Sequence, residues 1–338
     1  MENYKLSVIM SNYNQACFID QAVKSVLSQK TNFPFQLIIT DDNSTKDNSI
    51  TKINKYIQEY PDKIKVIFNE ENGRYLKNIL GALKITKTPY FTLLDADDYW
   101  TDENHLQKAV DYLDTHPDFT IYSSNVTCIS EGDSPPYPII KTNIKEADFS
   151  LDDYFQNNIL TGQTTGMVFR NIIFSNGIPK FLENAIGSIS ERSFEGDSFR
   201  FVMHLKYGKS HFVNNSCGVY RILSSGIWCS LSNFERNLFE AQAQLNYNEY
   251  FDYKHHVFFM QNSLCYLKQC IDYLNNISDD KDKEISINSL KIFLCTIKMY
   301  LENNQSAIRK EPKKLKFRLL MKIYKHCRKR LSKEGFIS

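Results

Sequence analysis

The sequence predicts an α/β fold, in which helices flank a mostly parallel β-sheet, followed by a C-terminal helical region. Short apolar runs alternate with helical spacings of apolar residues through the first hundred residues. This alternation is the pattern of parallel strands joined by crossover helices. After about residue 231 the apolar spacing is helical almost throughout, so we divide the chain into residues 1–230 and 231–338.

The first two strand–helix units follow directly from the apolar pattern. Residues 6–10 form a short apolar run, and apolar residues then recur at helical spacing over residues 19–27. Residues 35–40 form the second apolar run. Asp47 is an acceptor residue suited to capping the helix that follows.

The same order continues through the next two units. Residues 64–68 and 90–94 are apolar runs, and a helical pattern over residues 76–83 separates them. We expect Thr101 to cap a further helix that runs to about His116. The remaining predicted elements are strands over 119–124, 164–170 and 219–222 and a helix over 194–207.

Polar segments follow three of the predicted strands at the point where each strand ends. These segments are residues 11–14, 41–44 and 95–98. In open α/β sheets, ligands bind outside the carboxyl ends of the parallel strands. The sequence therefore predicts one binding site that is built from all three segments.

Three carboxylates in the last of these segments suggest a metal ion. Asp95, Asp97 and Asp98 follow directly on an apolar strand. Carboxylates that face a common site repel one another unless a cation lies between them. Their hard oxygen ligands suit Mg²⁺ or Mn²⁺. The alternative is a solvated acidic turn that caps the next helix, although the position after a buried strand favours the metal.

Two further acidic residues are candidates for substrate contacts. Asp41 could accept hydrogen bonds from a nucleotide base or a ribose, or it could simply form an Asx turn. Asp197 follows Gly196 at a predicted helix start, where a carboxylate could act as a general base near an acceptor hydroxyl. An ordinary helix cap would also place an aspartate there.

Several classes of protein are disfavoured by what the sequence lacks. No glycine-rich phosphate loop follows the first strand, which argues against a nucleotidyltransferase and a dehydrogenase. None of the eight cysteines is spaced as C-x-x-C. We find no signal sequence and no apolar run of membrane-spanning length. These observations predict a cytoplasmic protein with reduced thiols.

The positive charge is concentrated near the C-terminus. Residues 309–334 contain twelve Lys or Arg and two Glu, whereas the whole chain has a net charge of +2. A helix over residues 314–324 would carry an apolar face beside its basic positions, which suits peripheral docking at the inner face of an anionic membrane. A solvated, packed terminal helix is the alternative. We expect no nucleic-acid binding, because no known reader motif accompanies the charge.

Together, these segments resemble the inverting family 2 glycosyltransferases of the Rossmann-like GT-A fold, which include bacterial capsule and lipopolysaccharide enzymes. The resemblance covers roughly residues 4–230. It is carried by residues 7–14, Gln29, and residues 38–44, 93–100, 166–170, 195–197 and 219–228.

The resemblance implies a reaction and a set of roles. It implies transfer of a sugar from a nucleotide-sugar, with UDP as the expected nucleotide, to a saccharide or lipid-linked acceptor in surface polysaccharide biosynthesis. It also implies Mn²⁺ or Mg²⁺ as the cofactor. The implied nucleotide-binding residues are Ser11, Tyr13, Asn14, Asp41, Asp95 and Arg221, the implied metal residues are Asp97, Asp95 and Asp98, and the implied catalytic base is Asp197.

One position departs from the family pattern. Many relatives carry a histidine where this sequence has Leu223, and that histidine can help to hold the metal or the diphosphate. Either carboxylates and donor phosphates hold the metal alone, or another side chain such as His204 or His211 substitutes, although lone histidines are more often structural. The alternative function is a catalytically silent nucleotide-sugar-binding module of the same fold.

Overall fold

The structure, a computed structural model, describes residues 4–188, 190–276, 291–296 and 298–299. The chain divides into two units, Met1–Gly226 and Ile227–Ser338. The apolar pattern predicts this division after residue 230, four residues further on. The basic segment 309–334, for which we predict membrane docking, lies outside the described residues.

The first unit contains all ten strands of one sheet and seven α-helices among its described residues. The strands are β1 (Leu6–Asn12), β2 (Phe35–Asp41), β3 (Ile64–Phe68), β4 (Tyr90–Leu93), β5 (Tyr99–Trp100), β6 (Phe119–Ser130), β7 (Tyr137–Pro138), β8 (Glu146–Phe149), β9 (Met167–Arg170) and β10 (Lys209–Ile222). The helices are α1 (Ile19–Leu27), α2 (Ser49–Glu59), α3 (Arg74–Ile85), α4 (His105–Thr115), α5 (Leu151–Phe155), α6 (Lys180–Ala185) and α7 (Asp197–Leu205). Two 3-10 turns are formed by Thr164–Gly166 and Glu191–Phe194.

The strand order of the sheet is β3-β2-β1-β4-β9-β6-β10-β5. The four strands β3, β2, β1 and β4 are mutually parallel. Strand β9 then runs antiparallel between β4 and β6, and β6 pairs in parallel with β10. This arrangement confirms the predicted α/β class, with the uninterrupted parallel part confined to the N-terminal half of the sheet.

The two faces of the sheet follow from the alternation of side chains along its strands. Leu6, Val8 and Met10 of β1 point to one face and pack with Ile19 and Val23 of α1. Helices α2 and α4 contribute to the same buried cluster. Burial of apolar surface against these helices therefore holds β1 in register at the centre of the sheet.

Helices α3 and α7 cover the opposite face. The Asn78 side chain of α3 donates from Nδ2 to the carbonyl oxygen of Thr40, at 3.3 Å. Further along the sheet, Phe91 of β4 stacks on Phe169 of β9, with ring centroids 5.2 Å apart. The imidazole of His204 in α7 lies 4.6 Å from the Phe169 ring. This aromatic packing fixes α7 against the middle of the sheet.

Several element boundaries differ from the sequence prediction, among them the start of α4 and the segment 164–170. Thr101 is not the cap of α4, because its amide donates to the carbonyl oxygen of Cys217 at 2.9 Å and the helix begins only at His105. The predicted strand over 164–170 is a 3-10 turn followed by the short strand β9. In both places a contact with a distant strand overrides the local signal.

The described part of the second unit is helical, as its periodicity indicated. Helix α8 (Asn233–Tyr250) opens with a capping box, in which Ser232 Oγ accepts from the amide of Glu235 at 3.2 Å. Apolar residues of α8 pack with Leu267 and Cys270 of α9 (His256–Asn276). Among the described residues, neither these helices nor the others have the length and apolarity needed to cross a bilayer.

Candidate active site

The acidic turn Asp95–Asp98 joins β4 to β5 at the carboxyl end of the parallel strands. The Ser11 hydroxyl at the end of β1 donates to Asp95 Oδ1 at 2.5 Å. The amide of Ala96 donates to the Ser11 carbonyl oxygen at 3.0 Å. These bonds tie the acidic turn to the neighbouring strand, as expected for adjacent parallel strand ends.

Asp95 and Asp97 form a pair of carboxylates that would each be stabilised by a cation. Burial raises the pKa of Asp97 to about 6, and the nearby Asp95 charge raises it too. Burial also raises the pKa of Asp95, against the opposing effects of the Ser11 hydrogen bond and the Arg200 charge. A bound divalent ion would offset this repulsion and favour both ionised forms.

Asp98 has a structural role in this conformation. Its side chain is 1% exposed, and its Oδ2 accepts from the Thr165 hydroxyl at 2.6 Å. Its Oδ1 accepts from the backbone amide of Arg221 at 2.9 Å. Across the described part of the chain, no group of three or more Asp, Glu, His or Cys residues converges on one point. Asp95 and Asp97 are thus not tied down in the way Asp98 is, and the expected role of all three as metal residues stays a prediction.

Arg221 lies against the acidic turn. Its guanidinium donates to the Asp97 carbonyl oxygen through Nη1 and to Gln21 Oε1 through Nη2, the latter at 2.6 Å. The same group lies 4.9 Å from the centroid of the Phe18 ring and 4.7 Å from that of the Tyr99 ring. The cation is thus held between two aromatic rings at the edge of the site.

A buried polar cluster supports the loop that follows β1. Asn12 Nδ2 donates to Asp41 Oδ2 at 2.6 Å, and the Ser44 hydroxyl donates to the same oxygen at 2.6 Å. The Ser44 amide donates to Asp41 Oδ1 at 2.9 Å. Asp41 is 0% exposed, so in this conformation it shapes the loop. Its contact with a nucleotide base stays a prediction.

Tyr13 and Asn14 lie at the mouth of this loop. The Tyr13 side chain is 41% exposed and is therefore accessible to a ligand. Asn14 adopts a left-handed φ of 52°, which asparagine tolerates better than most residues. Its amide donates to Ser44 Oγ at 2.8 Å, and its Oδ1 accepts from the Lys46 amide at 2.9 Å. The polar segment 11–14, whose first two residues end β1, is thus bonded to the loop after β2.

Asp197 is the first residue of α7, facing the acidic turn. Its Oδ1 accepts from the Thr164 hydroxyl and from Arg200 Nη2, the latter at 3.2 Å. Burial raises the pKa of Asp197 to about 6, the Arg200 charge lowers it, and the Asp95 charge raises it. A carboxylate with a pKa near the working pH meets a requirement for a general base.

Three residues at the site were missed by the sequence analysis. Arg200 is 5% exposed and pairs with Asp197 one helical turn earlier, a spacing that could have been noticed in the sequence. Thr164 and Thr165 bond to Asp197 and Asp98 from a distant part of the chain, and no local pattern announces them.

Tyr75, near the start of α3, was also missed. Its hydroxyl donates to Asp95, and burial raises the pKa of Tyr75, to which the Asp95 and Asp197 charges both contribute. Tyr75 therefore remains a neutral hydrogen-bond donor between the acidic turn and α7.

The histidines considered as substitutes for the position of Leu223 are structural. His204 is 0% exposed among the aromatic rings beneath α7, and burial lowers its pKa to about 4. His211 stacks on Tyr112, with ring centroids 3.8 Å apart, and its Nδ1 lies 2.7 Å from Asp148 Oδ1. Both imidazoles are engaged elsewhere, so the suggestion that either one holds the metal is wrong for this conformation.

The fold is of the GT-A type, as in solved structures of the same architecture. Residues 7–177 match the sequence model described as glycosyl transferase family 2. The match spans half of the chain, and the protein belongs to this family.

Curated relatives share parts of this sequence. The chain is 28% identical over 237 residues to an uncharacterised protein of Mycobacterium tuberculosis, covering 70% of this chain but only 64% of the relative's length. It is 40% identical over 111 residues to an uncharacterised glycosyltransferase of Nostoc sp., a third of each chain (33%). It is 38% identical over 94 residues to the teichoic acid poly(glycerol phosphate) polymerase of Staphylococcus epidermidis, covering 28% of this chain and 13% of the polymerase.

Solved structures share the fold. Residues 1–349 of S. aureus TarS in complex with UDP-GlcNAc superpose with a TM-score of 0.57 and 18% identity, covering 87% of this chain and 80% of that chain. The complex of the same protein with UDP gives a TM-score of 0.56 at 17% identity, covering 98% and 92%. At this level of identity the likeness establishes the fold alone.

Proposed function

We propose that this protein is an inverting glycosyltransferase that transfers a sugar from a UDP-sugar to a saccharide or lipid-linked acceptor. The observation that carries the proposal is that one site holds both a pair of neighbouring carboxylates and a separate, single carboxylate. The Asp95–Asp97 pair suits a cation and a diphosphate, whereas Asp197 is held by Thr164 and Arg200 as a single base.

Asp97 and Asp95 would hold the divalent metal ion, Mn²⁺ or Mg²⁺. Their raised pKa values fit this role, because neighbouring carboxylates without a cation disfavour their own ionisation. The ion, when bound, would offset the negative charge of the diphosphate leaving group. With Leu223 in place of a histidine, the remaining ligands would be donor phosphate oxygens.

The chain's own residues account for the transfer step. Asp197 takes the proton from the acceptor hydroxyl as that oxygen attacks the anomeric carbon. The new bond forms between the acceptor oxygen and this carbon, and the bond from the carbon to the phosphate oxygen breaks on the opposite face. The nucleoside diphosphate leaves, so one displacement inverts the anomeric centre. A single base suffices, in contrast to the paired carboxylates of retaining glycosidases.

The nucleotide half of the donor is assigned to the loops after β1 and β2. Tyr13 offers an exposed ring, and Asn14 and Asp41 fix the shape of the loops around it through Ser44. Arg221 is a fixed positive charge beside the acidic turn, where it can face the diphosphate. The complexes of TarS with UDP and UDP-GlcNAc, which share the fold, support UDP as the nucleotide to test first.

We infer a cytoplasmic reaction that contributes to a surface polysaccharide or a related polymer. The local similarity to a teichoic acid polymerase supports an acceptor of this kind. Docking of residues 309–334 on an anionic membrane would bring a lipid-linked acceptor close to the site. Truncation of the chain before Arg309 tests this docking. The truncated protein should no longer sediment with anionic vesicles, and unchanged sedimentation would exclude this docking.

The experiment that tests the proposed function measures donor binding and hydrolysis. UDP-, GDP- and dTDP-sugars are compared with and without Mn²⁺, for the wild type and for Asp97→Ala. We expect metal-dependent turnover of one donor and a loss of roughly a hundredfold or more in Asp97→Ala, because removing a ligand removes the ion that stabilises the leaving group. Asp133→Ala, an exposed loop substitution, is the matched control and should behave as the wild type.

The other outcomes distinguish the alternatives. Binding of a donor without hydrolysis or transfer to any acceptor would identify a silent binding module, and Leu223→His would be the first variant to restore turnover. Turnover that is equal with and without Mn²⁺ and persists in EDTA would refute the metal assignment. The proposal that the protein is a transferase would stand.

A further inference from the structure

The 3-10 turn Thr164–Gly166 lies between the two halves of the candidate site. Thr164 is 4% exposed and Thr165 is 0% exposed, so neither hydroxyl is oriented by bulk solvent. The two side chains make hydrogen bonds to the carboxylates of Asp197 and Asp98, although the two threonines are adjacent in sequence. Such a placement ties the geometry of one half of the site to that of the other.

On the donor side, Thr165 is bonded once to the acidic turn and once to β5. Its hydroxyl donates to Asp98 Oδ2 at 2.6 Å. Its carbonyl oxygen accepts from the indole Nε1 of Trp100, the residue that ends β5, at 2.7 Å. Because Asp98 also accepts the amide of Arg221, Thr165 helps to set where β10 and the acidic turn meet.

On the acceptor side, Thr164 belongs to a three-residue network. Its hydroxyl donates to Asp197 Oδ1 and accepts from Arg200 Nη2 at 3.0 Å. Arg200 Nη2 also donates to Asp197 Oδ1 at 3.2 Å. Both donors reach the same oxygen, and the backbone amide of Thr164 also bonds to this carboxylate, so three donors fix the orientation of Asp197.

The turn itself has little room to move. A Cβ atom on Gly166 would lie 2.3 Å from the backbone oxygen of Ser124, and one on Gly162 would lie 2.1 Å from Ser123 Oγ. The amide of Thr165 donates to Gln163 Oε1 at 2.7 Å. The turn is therefore packed closely against β6, and the side chain of the preceding Gln163 holds its backbone. Both contacts make the turn a rigid support.

We propose that Thr164 and Thr165 are positioning residues that hold the base Asp197 in a fixed orientation relative to the acidic turn. The proposal rests on the proposed function, because it gives Asp197 the role of general base. Thr164 and Arg200 fix the Asp197 carboxylate through Oδ1, and Thr165 holds the donor half through Asp98. The charged groups that act on Asp197 are Arg200 and Asp95.

The test compares Thr164→Val and Thr165→Val in the full chain, because valine keeps the shape and removes the hydroxyl. Thr164→Val should lower the plateau of kcat about tenfold, since misoriented groups react more slowly. It should also move the acid limb of the kcat profile upward by about one pH unit, because the ionised carboxylate loses a donor. Thr165→Val should weaken binding of UDP with Mn²⁺ and leave the acid limb in place.

Two further variants separate positioning from folding. Thr164→Ser restores the hydroxyl and should return kcat to within about threefold of the wild type. Thr86→Val is the matched control, because Thr86 is 0% exposed and its hydroxyl bonds to the carbonyl oxygen of Ala82 within α3, away from the site. This variant should keep the wild-type kcat profile and the wild-type affinity for UDP with Mn²⁺.

A measurement without substrate keeps this proposal separate from the proposed function. The carboxyl carbon of Asp197, assigned with Asp197→Asn, is titrated by ¹³C NMR in the ligand-free protein. An upward shift in Thr164→Val, even if no donor is turned over, supports the positioning role. An active wild type in which Thr164→Val and Thr165→Val change neither this titration nor kcat would overturn it, and so would identical effects of both variants on every readout.

Discussion

Replacement of Asp197 by asparagine is the most direct test of the chemical step. The amide keeps the size of the side chain and can still accept a hydrogen bond from Thr164, but it cannot take a proton. Loss of a general base typically lowers the rate by about 10²–10⁴-fold. We expect kcat of Asp197→Asn to fall in this range while the affinity for UDP with Mn²⁺ stays within about threefold of the wild type.

The raised pKa of Asp197 predicts how strongly kcat should depend on pH. Burial raises the pKa of Asp197 to about 6, so the required ionised form is lost as the pH falls through this value. About nine-tenths of the carboxylate is ionised at pH 7 and about one-tenth at pH 5, which predicts a fall in kcat of about tenfold between them. The variant, which has no titrating group at this position, should lack this limb.

The assay is transfer to an acceptor at saturating donor and metal. Saturation is needed because Asp97 also has a pKa raised to about 6, and its protonation should weaken donor binding rather than the chemical step. Asp197→Asn with kcat within threefold of the wild type would refute the base assignment. A wild-type profile that stays flat down to pH 4.5 would refute the reasoning from burial.

Two further substitutions test the structural assignments. His204→Leu should leave the metal dependence of activity unchanged. The pKa of His204 is about 4 in the folded protein and 6.5 in the unfolded reference, so protonation of the unfolded chain destabilises the wild type as the pH falls. Between pH 7 and 5, the variant should therefore lose about 2 kcal/mol less free energy of unfolding than the wild type, as measured by urea titration. A metal requirement that disappears in this variant would contradict the structural role. Gly166→Ala should lower the free energy of unfolding by about 1–3 kcal/mol, because its Cβ would lie 2.3 Å from the Ser124 oxygen. Gly81→Ala, in the interior of α3 with no atom within 4 Å of the added Cβ, should instead raise it by about 0.5–1 kcal/mol, and equal effects at both positions would contradict the packing argument.

The parallel half of the sheet could be predicted because its signals are local. Each of β1 to β4 is a short apolar run, and each following helix repeats its apolar residues at helical spacing. The predicted cap of the second helix is one residue off, since the N-cap of α2 is Asn48, although Asp47 Oδ1 accepts from the amide of Ser49 at 2.9 Å. Strand ends that carry polar residues then point to the site without any tertiary information.

The remaining features depend on contacts between distant residues. The predicted strand 219–222 is only the end of β10, a strand of fourteen residues whose pairing with β6 is interrupted by shifts of register. In the sequence, Asp98 is simply the neighbour of Asp97 in an acidic run. In the structure, both oxygens of Asp98 accept hydrogen bonds, one from the Thr165 hydroxyl and one from the amide of Arg221. Which carboxylate of an acidic run faces a ligand is decided by partners that the run itself does not reveal.

The indole of Trp100 gives the protein an internal optical probe. The sequence contains two tryptophans, Trp100 and Trp228. Trp100 is 4% exposed and bonded to Thr165, whereas Trp228 is 43% exposed. In Trp228→Phe, all indole fluorescence would come from a buried ring two residues after Asp98. Emission from that single ring would report events at the acidic turn directly, without a labelled nucleotide.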